Sequence, residues 1–450
     1  MTERLFRVAV IGGGIGGLCL AQGLRRKGVS VAVYERDRDT PDRDQGYRLH
    51  IDPSGSRALR ACLPASAWGA FLASAGDPDG GFSFLSERLE RLVTVDGVTM
   101  YGVPSGPDEW HYPVDRLMLR RILLSGLEDV VHFGREFTRY EHGSDGRVTA
   151  HFADGGRVTA DVLVGADGAG SRVRRQRLPH ARRLPTGALA VGHKLPLTDE
   201  TLAWLPQQLG VGMNLVLAPA PYFLFTAAFR QRPDAETALP DAPGTREAGR
   251  VAYRDYLLCA FVGSAASFPD DLLDLPSAEL RSTVADLMRG WHPALCRAVL
   301  QADPSSVRAF EMLAAEPVDP WPSEQVVLLG DAIHSMPPVG GLGGNIALRD
   351  AHLLSRLLRT GEAPIAAIAR YEQEMREYGF AAVRASLATQ RQGLMSNRLG
   401  VAAARTWFRV ADHAQHLRRL TFGKTWSAQA DARPWEKRAR HHLSGRFPSR

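Results

Sequence analysis

The 450 residues contain no run of about 18 apolar side chains, so no membrane span is expected. Cysteine is scarce. Cys19, Cys62, Cys259 and Cys296 are scattered without a C-x-x-C pair, which fits reduced thiols in a cytoplasm and argues against a metal site. No Ser-His-Asp or metal-ligand spacing stands out, so neither a side-chain nucleophile nor a bound ion has support. Disorder has none either, because 44% hydrophobic and 23% charged residues is ordinary globular composition. Arg4 and Arg7 precede an apolar run. That run is rich in glycine, lacks a small-x-small cleavage site and leads straight into a second strand, so a signal peptide is not expected. The net charge of +6 is a property of the tail: residues 401–450 carry 11 Lys+Arg against 3 Asp+Glu, leaving the first 400 residues at −2. A second basic run, Arg174, Arg175, Arg177, Arg182 and Arg183, lacks the interleaved aromatics that stack bases. Both read as solvated helix ends, and no nucleic-acid partner is expected.

What is present begins at Arg7–Gly12, a short apolar run that opens Gly12-x-Gly14-x-x-Gly17. Leu18, Leu20, Ala21 and Leu24 follow at helical spacing, Val29–Tyr34 reads as a second buried strand, and Glu35 stands at its end. This is the first βαβ unit of a dinucleotide fold. Its glycines permit a tight turn and close approach to a pyrophosphate, the helix start binds phosphate, and Glu35 accepts from ribose hydroxyls. The unit alone does not separate NAD from FAD.

Two further stretches share its logic. Val162–Val164 is an apolar strand leading into Gly165-Ala166-Asp167-Gly168, with Ser171 to Arg174 beyond. Val326–Leu329 is another, ending at Gly330-Asp331, followed by Pro337, Pro338 and glycines 340, 341, 343 and 344. A helix is expected from Asn345, with Ile346, Leu348, Ala351, Leu353 and Leu354 as its apolar positions. Its free N–H groups would place about half a positive charge above the loop.

Taken together, Gly330-Asp331-Ala332-x-His334, Pro338, Gly340, Gly343, Asn345 and Asp350-Ala351 resemble the second flavin fingerprint of the single-component FAD-dependent aromatic hydroxylases. That family includes para-hydroxybenzoate hydroxylase, polyketide hydroxylases and tetracycline-degrading monooxygenases. The Asp161–Arg174 stretch resembles its middle fingerprint, and the order and separation of all three match. Leu342 departs from the pattern, since relatives often carry a polar residue there. The resemblance implies an α/β fold: a Rossmann-like FAD-binding domain in two parts (1–176 and 311–390), an inserted antiparallel-sheet substrate domain (177–310) and a helical extension with a basic tail (391–450). The FAD-binding set it implies is Gly12, Gly14, Gly17, Glu35, Arg36, Arg48, Arg116, Asp167, Asp331, Pro338, Gly341, Gly343, Gly344 and Asn345. Asp331 would meet the ribityl chain, and Pro338, Gly340, Gly341, Gly343 and Gly344 the isoalloxazine ring. Arg48 is a flavin or substrate-gate contact on this reading, and no protein side chain is assigned as catalytic.

The pattern also divides the chain locally. A turn is expected at Pro53-Ser54-Gly55, and a hairpin within Phe82–Met100 that breaks at Asp96-Gly97 and reaches towards the substrate sheet. Val114–Leu124 reads as a helix and 148–160 as a hairpin around Ala153-Asp154-Gly155. Ala188–Leu195, Gly210–Leu217, Tyr222–Phe229 and Arg250–Val262 alternate as strands of one antiparallel sheet, with Gln231–Gly249 a Pro- and charge-rich excursion. Candidate substrate contacts are His193, Met213, Phe223 and Phe225, with Phe229 of the same parity. Helices are expected at Ala363–Tyr378, Ala381–Gly393 and Val401–Leu420; with no C-x-x-C, this tail is too short for a thioredoxin-like domain.

The activity implied by the resemblance is a monooxygenase. NADPH or NADH reduces FAD, oxygen adds at flavin C4a, and the hydroperoxide delivers one atom to an aromatic or polycyclic, antibiotic-like molecule of secondary metabolism. Only one nucleotide fingerprint is visible, so the nicotinamide is expected to bind transiently. The W-x-W-x-x-I-P signature of flavin halogenases is absent. Epoxidation, Baeyer–Villiger insertion or non-redox cyclisation on the same scaffold, or ligand sequestration with a vestigial FAD, remain the rival readings. The intact carboxylates Glu35, Asp167 and Asp331 disfavour the last. A cytoplasmic monomer or homodimer is expected.

Overall fold

The computed structural model describes residues 6–38, 47–76, 81–218, 221–232, 255–358, 363–394 and 398–423. Strand β1 (Arg7–Ile11), helix α1 (Ile15–Arg25) and strand β2 (Ser30–Tyr34) form the opening unit, and Leu18, Leu20, Ala21 and Leu24 are all buried. Strand β3 (Arg48–Ile51) runs directly into α2 (Pro53–Cys62). Asp52 accepts from the Ser54 and Gly55 N–H groups, and Pro53 occupies a position where its missing N–H costs nothing. The turn expected at Pro53-Ser54-Gly55 is therefore the first turn of a helix.

After α3 (Ala65–Ser74), strands β4 (Phe82–Ser86) and β5 (Arg91–Val95) form the expected hairpin, but it turns at residues 87–90. Asp96-Gly97 instead starts α4 (Gly97–Tyr101), because the Asp96 carboxylate accepts from the Thr99 N–H. An Asp-Gly pair serves a hairpin turn or a helix cap equally well, and here capping wins. Strand β6 (Tyr112–Asp115) pairs with β3, and Asp115 caps α5 (Arg116–Leu124) through the Leu117 and Met118 N–H groups. Strands β7 (Val131–His132), β8 (Phe137–His142), β9 (Val148–Phe152), β10 (Arg157–Ala160) and β11 (Val162–Gly165) follow, then α6 (Arg172–Arg177).

The next section alternates as expected: β12 (Arg183–Pro196), α7 (Asp199–Trp204), β13 (Met213–Leu217), β14 (Tyr222–Phe229) and β15 (Tyr256–Ser264). Most of the 231–249 excursion, and residues 250–254 of the last expected strand, lie outside the described residues. Helices α8 (Ser277–Leu287) and α9 (Pro293–Leu300) lead to β16 (Arg308–Ala315). The chain returns through β17 (Val326–Leu328), α10 (Asp331–His334), α11 (Leu342–Leu357), α12 (Pro364–Gly393) and α13 (Arg398–Asp412). Two of these correct the sequence reading. Helix α11 starts at Leu342 rather than Asn345, so Gly343 and Gly344 lie in its first turn. Helix α12 is one 30-residue helix rather than two, crossing the boundary expected at 390. Gly379 lies inside it, at a point where a side chain would press on His334. The stretch expected to be helical from Val401 to Leu420 is broken only at 413–414: α13 ends at Asp412, and helical turns resume over Gln415–Arg418 and Arg419–Gly423; the basic tail beyond 423 lies outside the described residues.

Two sheets organise the molecule. The first has order β17-β11-β1-β2-β7 with every pair parallel, so the carboxyl ends of β17, β11 and β1 lie side by side. The second has order β16-β12-β15-β14-β13-β4-β5. It is mixed, not purely antiparallel: β4, from the first half of the chain, adds alongside β13 in parallel. One face packs on α8 and α9 through Val191, Leu195, Leu224, Cys259 and Phe261 against Leu280, Val284, Leu295 and Val299. The other face is turned towards the first sheet's ligand side. Among the described residues, no helix is long and apolar enough to cross a membrane.

Candidate active site

Three strand ends build the floor. Gly12 follows β1 at φ +108°, and any side chain there would strike the Ala166 carbonyl oxygen of the neighbouring strand end. A side chain at Gly17 would fall on the Gly12 carbonyl. Both positions are fixed by close packing. Gly14 differs: it caps α1 without a side-chain hydrogen bond and has open space above it, so the helix start is free to meet an anion. Glu35 accepts from the Gly13 N–H at 2.7 Å and the Asp37 N–H at 3.0 Å, which presents its carboxylate at the rim of the same turn. Arg36 points outward beside Asp37, and Arg120 donates to the Gly13 carbonyl at 3.2 Å.

At the second strand end, Asp167 Oδ2 accepts from the Arg172 and Val173 N–H groups, while its Oδ1 is buried without a partner. The expectation that this basic run is a solvated helix end fails at Arg174. That guanidinium is buried and donates to the Ala332 and Ala169 carbonyls, tying the second strand end to the third.

At the third, Asp331 begins α10 and lies close to the start of α11: a side chain added at Gly343 would sit 3.7 Å from Asp331 Oδ1. Its carboxylate accepts no hydrogen bond from the described residues. Asp331 is exposed towards the open side of the site, and the protein atoms packed around it nonetheless raise its carboxyl above the usual range, partly offset by His334, Arg183 and Arg116. A carboxylate so placed is an acceptor awaiting hydroxyl donors.

Above Asp331 the loop passes Gly340 and Gly341, and Gly341 caps α11 in the left-handed conformation at φ +66° without a side-chain cap. Ser386 on α12 holds this loop through the Pro337 and Val339 carbonyls. A side chain begun at Gly344 would meet Ile15 Cδ1 at 3.4 Å, so the two open helix starts approach each other. Asn345 does not offer its side chain to a ligand. Its amide donates to the His50 and Gly341 carbonyls and accepts from the Asp52 N–H, stitching β3 to the loop.

The second sheet roofs this floor. Phe223 packs with Ala188, Ala190, Val262 and Met312, and with Val339 of the loop; Phe225 and Leu215 lie beside it, half-buried. Met213 belongs to a neighbouring cluster with Phe82, Met100 and Phe422, and Phe229 is buried against Tyr256. His193 is the exception among the expected contacts. It pairs across strands with Cys259, which faces α8 and α9, and burial holds its imidazole down at about 4, with Arg281 of α8 adding to the effect. It stands on the far face of the sheet. Parity along each strand decides this, and the sequence alone does not say which parity faces the floor.

Arg48, expected as a contact, is buried at 8% exposure on β3, and desolvation pushes its guanidinium down to about 10. Beside it are groups the sequence did not single out: His50, Tyr101, His111 and Tyr256. Only His50 had a signal, sharing a strand face with Arg48.

The donor set fits FAD: two uncapped helix starts for phosphate and ring edge, the Asp167 and Asp331 carboxylates with unused acceptor capacity at two strand ends, and Glu35 at the rim of the first turn. A family model described as an FAD binding domain matches residues 6–216 and 276–386. The chain belongs to the FAD-dependent monooxygenase family related to para-hydroxybenzoate hydroxylase. This flavoprotein is 33% identical over 387 residues to a dual O-methyltransferase/FAD-dependent monooxygenase of Phaeosphaeria nodorum, covering 79% of this chain but 40% of that protein. A Photorhabdus luminescens structure assigned as an FAD containing monooxygenase superposes with TM-score 0.76 at 33% identity, covering 86% of this chain and 98% of the other. Klebsiella pneumoniae HpxO, solved with FAD and uric acid, shares the fold at TM-score 0.74 and 22% identity, over 94% and 97% of the two chains.

Proposed function

We propose that this flavoprotein uses a nicotinamide cofactor and dioxygen to hydroxylate an aromatic or polycyclic small molecule. The observation that carries the reading is the meeting of two carboxylate-bearing strand ends, at Asp167 and Asp331, with two open helix starts beneath an apolar sheet face. Bound FAD supplies the redox chemistry, accepting two electrons and activating dioxygen. Gly14 and the start of α1 would hold its phosphates, Glu35 its ribose, and Asp331 its ribityl hydroxyls. The start of α11, capped by Gly341, would favour negative charge on the reduced ring by about 0.5–2 kcal/mol. Phe223, Phe225 and Leu215 exclude water from the space above, which keeps activated oxygen from escaping as peroxide.

One nucleotide fingerprint implies that hydride arrives from a transiently bound nicotinamide, so substrate is expected to gate reduction. Nicotinamide oxidation by the FAD-loaded protein should run at least ~10-fold faster with a true substrate, a gating of ~1.4 kcal/mol or more. The product should carry one atom from isotopically labelled dioxygen. Turnover without nicotinamide consumption or label would replace this reading with non-redox chemistry.

A further inference from the structure

A cluster of buried nitrogen groups without partners lies beside the flavin-facing loop. The Arg48 Nε is buried without a partner, and its guanidinium makes no hydrogen bond to any described residue although only 8% of the residue is exposed. Its cross-strand neighbour Asp115 does not neutralise it. That carboxylate already accepts from the Leu117 and Met118 N–H groups and from the Tyr256 hydroxyl at 2.8 Å. On the same face of β3, His50 stacks on Tyr101 at 5.8 Å between ring centroids and meets the tilted ring of His111 at 5.2 Å. Its Nε2 lies 2.7 Å from the Tyr101 hydroxyl, but its Nδ1 has no partner. His111 is buried with both ring nitrogens unpartnered. Burial, together with the Arg48 charge, keeps both imidazoles neutral at physiological pH, so each offers one N–H and one acceptor.

Buried polar groups left unmatched are costly, and a folded protein carries few. Several in one place, one of them a full positive charge, describe a site that a ligand completes, and that ligand must bring negative charge. The cluster adjoins the loop: His50 Cβ lies 3.7 Å from where a Gly341 side chain would begin. FAD is not the source of the charge on this geometry. Its phosphates belong at the start of α1, and the charges bearing on Asp331 are those of His334, Arg183, Arg116 and Asp350. The groups that bear on Arg48 are Tyr256 of the roof sheet and Tyr101.

We propose that Arg48, with His50 and His111 beside it, seats an acidic group of the substrate, so that the enzyme selects aromatic molecules carrying a carboxylate or an ionised phenol. Arg48 supplies the charge and a planar fork that matches a carboxylate. The two imidazoles complete its remaining lone pairs. This inference rests on the monooxygenase reading, because it takes the floor for FAD and the space under the roof for substrate.

The test titrates the FAD-loaded protein with two matched pairs at pH 8, following the flavin absorbance. The pairs are 2-naphthoate against 2-naphthamide, and 4-nitrophenolate against 4-nitroanisole. The anion of at least one pair should bind at least ~10-fold more tightly than its neutral mate, equivalent to ~1.4 kcal/mol. The pair that responds tells carboxylate from phenolate. Arg48→Met should erase the preference, and Arg48→Lys should keep part of it, while FAD affinity stays within about threefold of wild type. Because it removes an unpaired buried charge, Arg48→Met should also raise the melting temperature of the substrate-free protein, whereas loss of a structural arginine would lower it. Equal binding within both pairs, or no binding of any of the four compounds, overturns the proposal and leaves the flavoprotein reading standing. An Arg48→Met protein that loses FAD but keeps the anion preference makes Arg48 a cofactor residue. A wild-type protein that takes up no FAD removes both readings.

Discussion

Asp350 holds the strand end that carries Asp331, and removing it should cost more stability than changing any surface charge. The carboxylate is fully buried on α11. Its Oδ2 accepts from the Gly330 N–H at 2.8 Å and lies 2.7 Å from His334 Nε2, while Oδ1 accepts from the Tyr378 hydroxyl at 2.6 Å. Asp350→Ala strands the Gly330 N–H, the His334 ring and the Tyr378 hydroxyl in a buried site, a loss of about 3–5 kcal/mol. Urea unfolding of the FAD-loaded protein measures it. The pH dependence gives an independent sign. Burial opposes protonation of His334, but the Asp350 charge and hydrogen bond, with Asp331 adding, outweigh it and raise the imidazole above its usual value. A histidine raised on folding contributes stability that is complete below the unfolded value of about 6.5 and drains away as pH climbs through the folded value. Asp350→Asn removes the cause, so the fall in stability above pH 6.5 should be shallower than in wild type. A cost below about 1 kcal/mol for the alanine variant, or identical pH slopes for wild type and the asparagine variant, would refute the argument.

Further outcomes follow from the floor of the site. Asp331→Ala should weaken FAD binding by about 1–3 kcal/mol, since ribityl donors lose their acceptor, and equilibrium dialysis against FAD reads it directly. In the FAD-free protein Asp331→Asn should do the opposite and stabilise. The folded carboxyl is raised, so the folded state holds its proton longer than the unfolded one, and the wild type loses stability as pH rises through the ordinary carboxylate range. Thermal melts at pH 4 and pH 7 test this; the variant's advantage should grow with pH. Gly12→Ala should yield little soluble protein, because the new side chain meets the Ala166 carbonyl in a backbone conformation that alanine disfavours. A soluble, yellow Gly12→Ala protein would show that the strand ends can spread apart.

What could be read from the sequence was whatever a local rule encodes. The glycines at 12 and 17, the carboxylates at strand ends and the apolar runs before them each answer to a constraint within a few residues, and they lie where that constraint puts them. Helix starts show the ambiguity of turn residues. Asp96 can serve a hairpin turn or a cap, and only the Thr99 N–H it meets decides which, while the left-handed conformation of Gly341 starts α11 three residues before the apolar pattern does. His193 shows the limit for strands. Alternation places it with Val191 and Leu195, but which parity meets α8 and which meets the loop is settled by packing of segments some 80 residues apart. The Arg48 cluster lies beyond either kind of rule. Strand pairing of β3 with β6 brings His111 near His50, the short helix from Gly97 brings Tyr101, and β15 brings Tyr256 from the other half of the chain. None of these residues has a spacing that marks it. What marks the site is the set of buried nitrogens left unpartnered on Arg48, His50 and His111, a property that exists only in the folded chain. A motif therefore marks the proposed FAD site, while specificity has to be sought among polar groups the fold leaves unmatched.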